Sequence, residues 1–273
     1  MSASSEQTAT GRTADFTFEI NAPVEDVWAA ITEADHLTNW FPLTAEVKPG
    51  LGGTMFMAWG DACKGTCTIE VWEPNKLLRT TFMEGPQEGA DGPMRTYVDY
   101  HLESNGGATT LRLVHSGFGE GAHWDQLYNG VSRGWAAELR SLRHYLENHF
   151  GKRRQVMWKQ HATTLGDPEV WAKLIGAGCL GLESASGIKQ GERYRADGPA
   201  LGAISGTVLL YDDSGALAGT VDELNKGYLR IEIDHCSGPE ASVWFWVSAY
   251  DVPEERLDAI ESQVETILGA LAI

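Results

Sequence analysis

Cationic residues are the first scarcity of this 273-residue chain: 21 Lys and Arg stand against 38 Asp and Glu, a formal charge of −17. Phosphate backbones and anionic lipid surfaces are held mostly by clustered Lys and Arg, so nucleic acid is not an expected partner. The one basic cluster, Lys152, Arg153 and Arg154, falls between a helical and an extended pattern and reads as a solvated joint. Long apolar runs are missing too. None approaches the roughly 20 uncharged residues of a membrane span, which argues against membrane insertion. Cysteine is sparse: Cys63, Cys67, Cys179 and Cys236 are too scattered for a disulfide framework and include no CxxC pair. HExxH and comparable histidine spacings are absent. Cys63 and Cys67 can share a strand face, but no nearby histidine completes a metal set. GxxxxGK followed by Ser or Thr does not occur, and no nucleotide loop, cofactor or metal is expected. Residues 1–13 are small and polar without a basic region leading into an apolar one. They read as a flexible leader without a secretory signal, and the expected location is the cytoplasm.

What is present is a change of period along the chain. Phe16 to Ile20 alternates apolar and polar residues, as a half-buried strand does. "NAPVEDVWAAI" then predicts a short helix, with Asn21 as cap, Pro23 in the first turn and an apolar stripe at Val24, Val27, Trp28 and Ile31. "ADHLTNWF" continues as a second helical piece. Extended runs follow at 54–59, 65–72, 77–83, 96–102 and 109–115, divided by turn-forming Gly, Pro, Asn and Asp. Short spacers imply antiparallel neighbours.

Parity assigns the faces. Glu70, Arg79, Asp99, His101 and Arg112 mark the wet side, which turns Cys67, Ile69, Val71, Phe82, Tyr100 and His115 inward. The run holding Met57 and Trp59 is apolar on both parities and has no readable orientation. Trp124, Tyr128, Val131, Trp135, Leu139, Leu142 and Leu146 then recur at helical spacing, with charged residues opposite. An antiparallel sheet with an apolar face needs a cover, and one long helix is the available one.

The plan then repeats. "RQVMWKQH", "DPEVWAKLI", several strand-like runs and a closing helix in "EERLDAIESQVETILGAL" follow the same order. Gly65, Thr66 and Leu77 align with Gly206, Thr207 and Leu217, which indicates an internal duplication. The expected architecture is a leader at 1–13, one α+β domain at 14–150 and a divergent second at 151–273.

"NAPVEDVWAAITEADHLTNWF", a Gly-Gly strand, "GTCTIEVWEPNKLLRTTF", "LRLVHSGF" and a helix with "GW" followed by spaced leucines resemble the START-like superfamily, specifically the branch named for the activator of the Hsp90 ATPase. The resemblance is nearly complete over 14–149 and looser over 152–273, where "GAGCLGLESAS" replaces "HLTNWF". It implies a helix-grip fold in each half: a curved sheet around a long C-terminal helix, with a cavity that often holds an apolar small molecule. Fold alone does not grant a function.

The expected ligand walls are Trp40, Met57, Trp59, Phe82, Tyr100, Phe118, Trp124, Tyr128 and Trp135, with His115 as polar handle. Each buried ring removes about 150–250 Å² from water, on the order of 4–6 kcal/mol of transfer energy, so plain core explains any one of them. As a set facing a concave sheet, they favour a pocket. The function read from this is binding of a small hydrophobic or aromatic ligand. An interaction protein of the chaperone-activator kind is one alternative. An enzyme of the cyclase, aromatase or hydrolase kind, with His115 moving protons, is another. His235 is a second inward histidine by parity. "SVWFWVSAY" is apolar on both faces, so Trp244 or Trp246 is expected to meet the other domain or a second subunit, unless both rings curl inward.

Overall fold

In the computed structural model, which describes residues 12–60, 63–85, 94–183, 188–234 and 241–271, alternating apolar residues build β1 (Arg12–Ile20). Arg12 and Thr13, read from sequence as leader, already belong to this strand. Two short helices follow, α1 (Val24–Thr32) and α2 (Ala34–Leu37). Pro23 rather than Asn21 is the α1 cap. A meander then runs through β2 (Thr44–Lys48), β3 (Thr54–Ala58), β4 (Lys64–Glu73), β5 (Leu77–Gly85), β6 (Met94–Asn105) and β7 (Ala108–Phe118) into α3 (Ala122–Asn148).

The sheet order is β1-β7-β6-β5-β4-β3-β2, antiparallel throughout. β2 escaped the sequence reading. On the outer face Arg79 donates to both carboxylate oxygens of Asp99 at 2.6 and 2.9 Å, and Arg112 pairs with Asp15 at 2.5 Å. A bulge between Ile69 and Val71 puts Val71 opposite Arg79 and Trp72 opposite Leu78. Cross-strand partners share a face, so Val71 faces outward, contrary to simple parity, and Trp72 takes the inward position. In β3 the buried residues are Met55 and Met57.

The chain divides at Phe150/Gly151 into two compact units. The second contains β8 (Arg154–Thr163), α4 (Asp167–Ile175), β9 (Arg193–Gly198), β10 (Gly202–Asp212), β11 (Ala216–Val221), β12 (Gly227–Asp234), β13 (Ala241–Tyr250) and α5 (Glu254–Leu271). Its sheet order, β8-β13-β12-β11-β10-β9, again joins first strand to last and then meanders, and among the described residues a single antiparallel bridge from Leu182 to Ala196 stands where β2 would pair. Further likeness lies in detail. Trp28 of α1 meets Trp72 near the end of β4 at 5.1 Å, and Trp171 of α4 meets Tyr211 near the end of β10 at 6.2 Å. Gly206 is a close-approach position: a Cβ there would fall 1.7 Å from the Thr220 carbonyl oxygen. Both units are α+β, an antiparallel sheet with a long C-terminal helix, arranged in tandem.

The second interior is mostly aliphatic. Leu257, Ile260, Val264 and Leu268 of α5 join Val208, Leu217, Leu229, Ile231 and Val247 in one buried cluster. Outside it, Lys159 binds Glu261 and Glu265 at 2.8 and 3.2 Å, tying α5 to β8. The basic joint is less solvated than its sequence suggests: Lys152 binds Asp251, and Arg154 is buried over the Trp246 ring. Trp244 and Trp246 neither curl inward nor distort β13. They lie on the outer face beside Trp158 of β8, at 5.5 and 6.0 Å between ring centroids. No helix among the described residues is long and apolar enough to cross a membrane.

Candidate functional site

The long helix α3 lays its ring-bearing stripe over the inner face of the first sheet. Trp135 is the hub, with ring centroids 5.4 Å from Phe41, 6.2 Å from Phe82 on β5, 6.1 Å from Tyr100 on β6 and 6.4 Å from His115 on β7. Phe41 carries the contact onward to Trp40 and Trp59 at 4.8 and 4.9 Å. His115 carries it to Phe82 and Phe118 at 4.6 and 4.7 Å, and Phe118 to Trp124 and Tyr128. One continuous set of rings results. Every expected wall ring belongs to it. Met57 is buried but makes no ring contact of this kind.

Gly117 explains how His115 and Phe118, three residues apart, both face inward. Its φ of +92° bends β7, and a Cβ there would meet the Arg95 carbonyl oxygen at 2.9 Å. Only glycine suits that bend.

The polar atoms of these rings have different fates. The Trp40 indole N–H donates to the Ala30 carbonyl at 2.8 Å, and its own carbonyl accepts from Ser141 at 2.9 Å, which fixes it between α1 and α3. The Tyr128 hydroxyl donates to the Thr13 carbonyl, and Arg12 sits 4.7 Å above its ring. Trp59, Phe82, Trp124 and Tyr128 are half-buried, whereas Trp40, Phe118 and Trp135 are buried.

His115 is fully buried and both its ring nitrogens are engaged. The Trp135 indole N–H, which only donates, reaches Nδ1 at 3.0 Å. Nδ1 is therefore the acceptor, so Nε2 carries the hydrogen and donates to Thr96 Oγ1 at 2.8 Å. Burial pushes its pKa down to about 3, so it is neutral at ordinary pH. As a handle it would have to give up one of these bonds.

Tyr100 is the exception. It is buried, and among the described residues no protein group hydrogen-bonds its hydroxyl. Burial first, then the neighbouring Cys67 and Glu138, raise its pKa above the ordinary phenol range, so it stays a donor. Glu138 and Phe41 were missed by the sequence reading. Glu138 stands three residues after Trp135 on α3, a spacing that marks one helix face and was the available signal. Phe41 adjoins Trp40, which drew the attention.

Among the described residues no group of three or more His, Cys, Asp or Glu is placed to hold a metal ion. His235 lies outside the described residues.

Solved structures similar to this chain include protein MLL2253 from Mesorhizobium loti, 26% identical over 50% of this chain and 98% of that one, with a TM-score of 0.45. The Aha1 dimer from Colwellia psychrerythraea is 22% identical over 50% and 96%, with a TM-score of 0.42. The di-domain ARO/CYC protein BexL of the BE-7585A biosynthetic pathway is 12% identical over 96% and 98%, with a TM-score of 0.44. No curated protein matches the chain. The family model described as Activator of Hsp90 ATPase homolog 1-like protein matches residues 21–147, from the residue after β1 nearly to the end of α3. Over the first of its two tandem units the chain is thus similar to the Activator of Hsp90 ATPase homolog 1-like family.

Proposed function

We propose that the first unit binds a small hydrophobic or aromatic molecule between α3 and the sheet. Phe41, Trp59, Phe82 and Trp135 form its walls, and the Tyr100 hydroxyl is its polar handle. The observation that carries this reading is a contrast among the polar atoms of these rings. The Trp40, Trp135, His115 and Tyr128 polar groups all have protein partners, and the Tyr100 hydroxyl does not. A ligand oxygen accepting from the Tyr100 hydroxyl would give it a partner that the described residues do not supply.

Native mass spectrometry of protein taken from its own host tests this reading, with a retained small molecule as the expected result. A thermal-shift screen of aromatic compounds, run on wild type and Tyr100→Phe, adds residue detail. Carbonyl- or hydroxyl-bearing compounds should lose about tenfold in affinity in the variant, and bare hydrocarbons should not. Equal loss for both classes removes Tyr100 as the handle.

Glu138 supports a second reading, proton-transfer chemistry on the bound molecule. Its charge acts on the Tyr100 phenol, whose pKa it helps to raise. His115 is a poor base at neutral pH, being neutral, buried and doubly bonded. Turnover of an aromatic ester or polyketide that survives in His115→Asn and vanishes in Glu138→Gln supports this second reading. The chaperone-activator reading rests on the family's name, and affinity capture that recovers no chaperone counts against it.

A further inference from the structure

We infer that His115 is a positioning residue that fixes the orientation of Trp135, and through it the shape and selectivity of the site, without touching the ligand. This rests on the ligand-binding reading above. Trp135 touches rings from three strands and from the segment after α2, so its side-chain angles decide how much room lies between α3 and the sheet. Within that apolar surrounding its indole N–H has one partner, His115 Nδ1.

The acceptor is itself held. Thr96 Oγ1, buried on β6, accepts the Nε2 hydrogen of the tautomer that the donor-only Trp135 N–H requires. Phe82 and Phe118 flank the imidazole at 4.6 and 4.7 Å. Val98 is opposite His115 in the β6–β7 register, which places Thr96 beyond the imidazole along the neighbouring strand. The relay therefore runs from β6 through β7 to α3. An indole released from it is free to turn into the ligand space, because a Trp N–H in an apolar site seeks a partner.

The test uses nitrogen-15 NMR of the full chain, with the Trp135 indole signal assigned by its loss in Trp135→Phe. N-Phenyl-1-naphthylamine, a neutral aromatic fluorophore, serves as the binding probe. In wild type, His115 should show the Nε2-protonated neutral form, unchanged from pH 5 to 9. His115→Leu should move the indole proton upfield and speed its exchange, and should weaken probe affinity at least fivefold. His115→Asn keeps an acceptor oxygen where Nδ1 stands and should restore both readouts to within about twofold of wild type. An Nδ1-protonated ring in wild type, an indole signal untouched by His115→Leu, or probe affinity that ignores its displacement overturns the inference. The wild-type tautomer decides the matter even if the leucine variant fails to fold. If wild type takes up no probe, the ligand-binding reading is what fails, and the indole and imidazole signals still judge the relay.

Discussion

Trp158 on β8 stacks on Trp244 of β13 with ring centroids 5.5 Å apart and planes inclined by 26°. Both indole N–H groups of β13 are satisfied locally, Trp244 donating to Ser242 at 3.3 Å and Trp246 to Ser248 at 2.9 Å. A strand apolar on both faces thus finds much of its outer cover on the neighbouring strand. Trp158→Ala should destabilise the second unit by about 2–3 kcal/mol, somewhat less than the roughly 3–5 kcal/mol for deleting a fully buried large ring, because Trp158 is half-buried. Urea unfolding checks the loss, and a red shift of tryptophan emission checks that Trp244 and Trp246 have become wet.

The ion pair of Arg79 and Asp99 is asymmetric: the Arg79 side chain is 43% exposed and that of Asp99 6%. Removing the arginine strands a buried carboxylate, while removing the acid leaves a guanidinium that water can reach. Arg79→Met should therefore cost about 2–3 kcal/mol and Asp99→Asn about 1 kcal/mol. Equal losses in chemical denaturation would show that the pair acts by packing alone.

His115 sets an acid limit on the first unit. Its folded pKa is depressed to about 3, whereas the unfolded chain takes up this proton near 6.5. Between those values the unfolded state binds more protons. The contribution of this residue is therefore full above pH 6.5 and declines as pH falls toward 3, by about 1.4 kcal/mol per unit in the steep range. Relative to His115→Asn, which does not titrate, wild type should lose about 2 kcal/mol between pH 7 and pH 5. Matching urea midpoints at the two pH values for both proteins would refute this.

Much of this arrangement is legible in the residues, and the exceptions have physical causes. The α3 stripe and the strands flanking Tyr100 and His115 are readable because each buries one face and wets the other, so period and parity carry the information. Val71 breaks the rule because a bulge inserts one residue, and parity counting has no means of seeing it. β2, with exposed Thr44, Glu46 and Lys48 on the sheet edge, has too little apolar character to register as a strand. The polar fate of each ring was the hidden part. His115 and Tyr100 look equivalent by parity. Only the chance that Trp135 and Thr96 meet one of them separates a satisfied imidazole from a bare phenol.

Gly206 tests the duplication at its tightest point. Alanine there would drive a Cβ into the Thr220 backbone across the β10–β11 pair, where Thr207 N–H also donates to Thr220 Oγ1 at 2.8 Å. We expect Gly206→Ala to cost about 3 kcal/mol or more. Hydrogen exchange should quicken in β10 and β11 and remain unchanged in β4 to β7. Loss of protection in both sets would mean that the two units melt as one.

The pairing of first strand with last in each unit also has a consequence for how the polypeptide is made. Phe16 faces Leu113, and Met157 faces Val247, so each opening strand waits for a partner synthesised roughly a hundred residues later. On the ribosome the first unit can close while the second is still being translated, because all its strands precede Phe150. The second cannot seal until β13 has left the exit tunnel. Until then β8, carrying Trp158, hangs without its neighbour, and that interval is when a nascent chain of this design most needs protection from others like it.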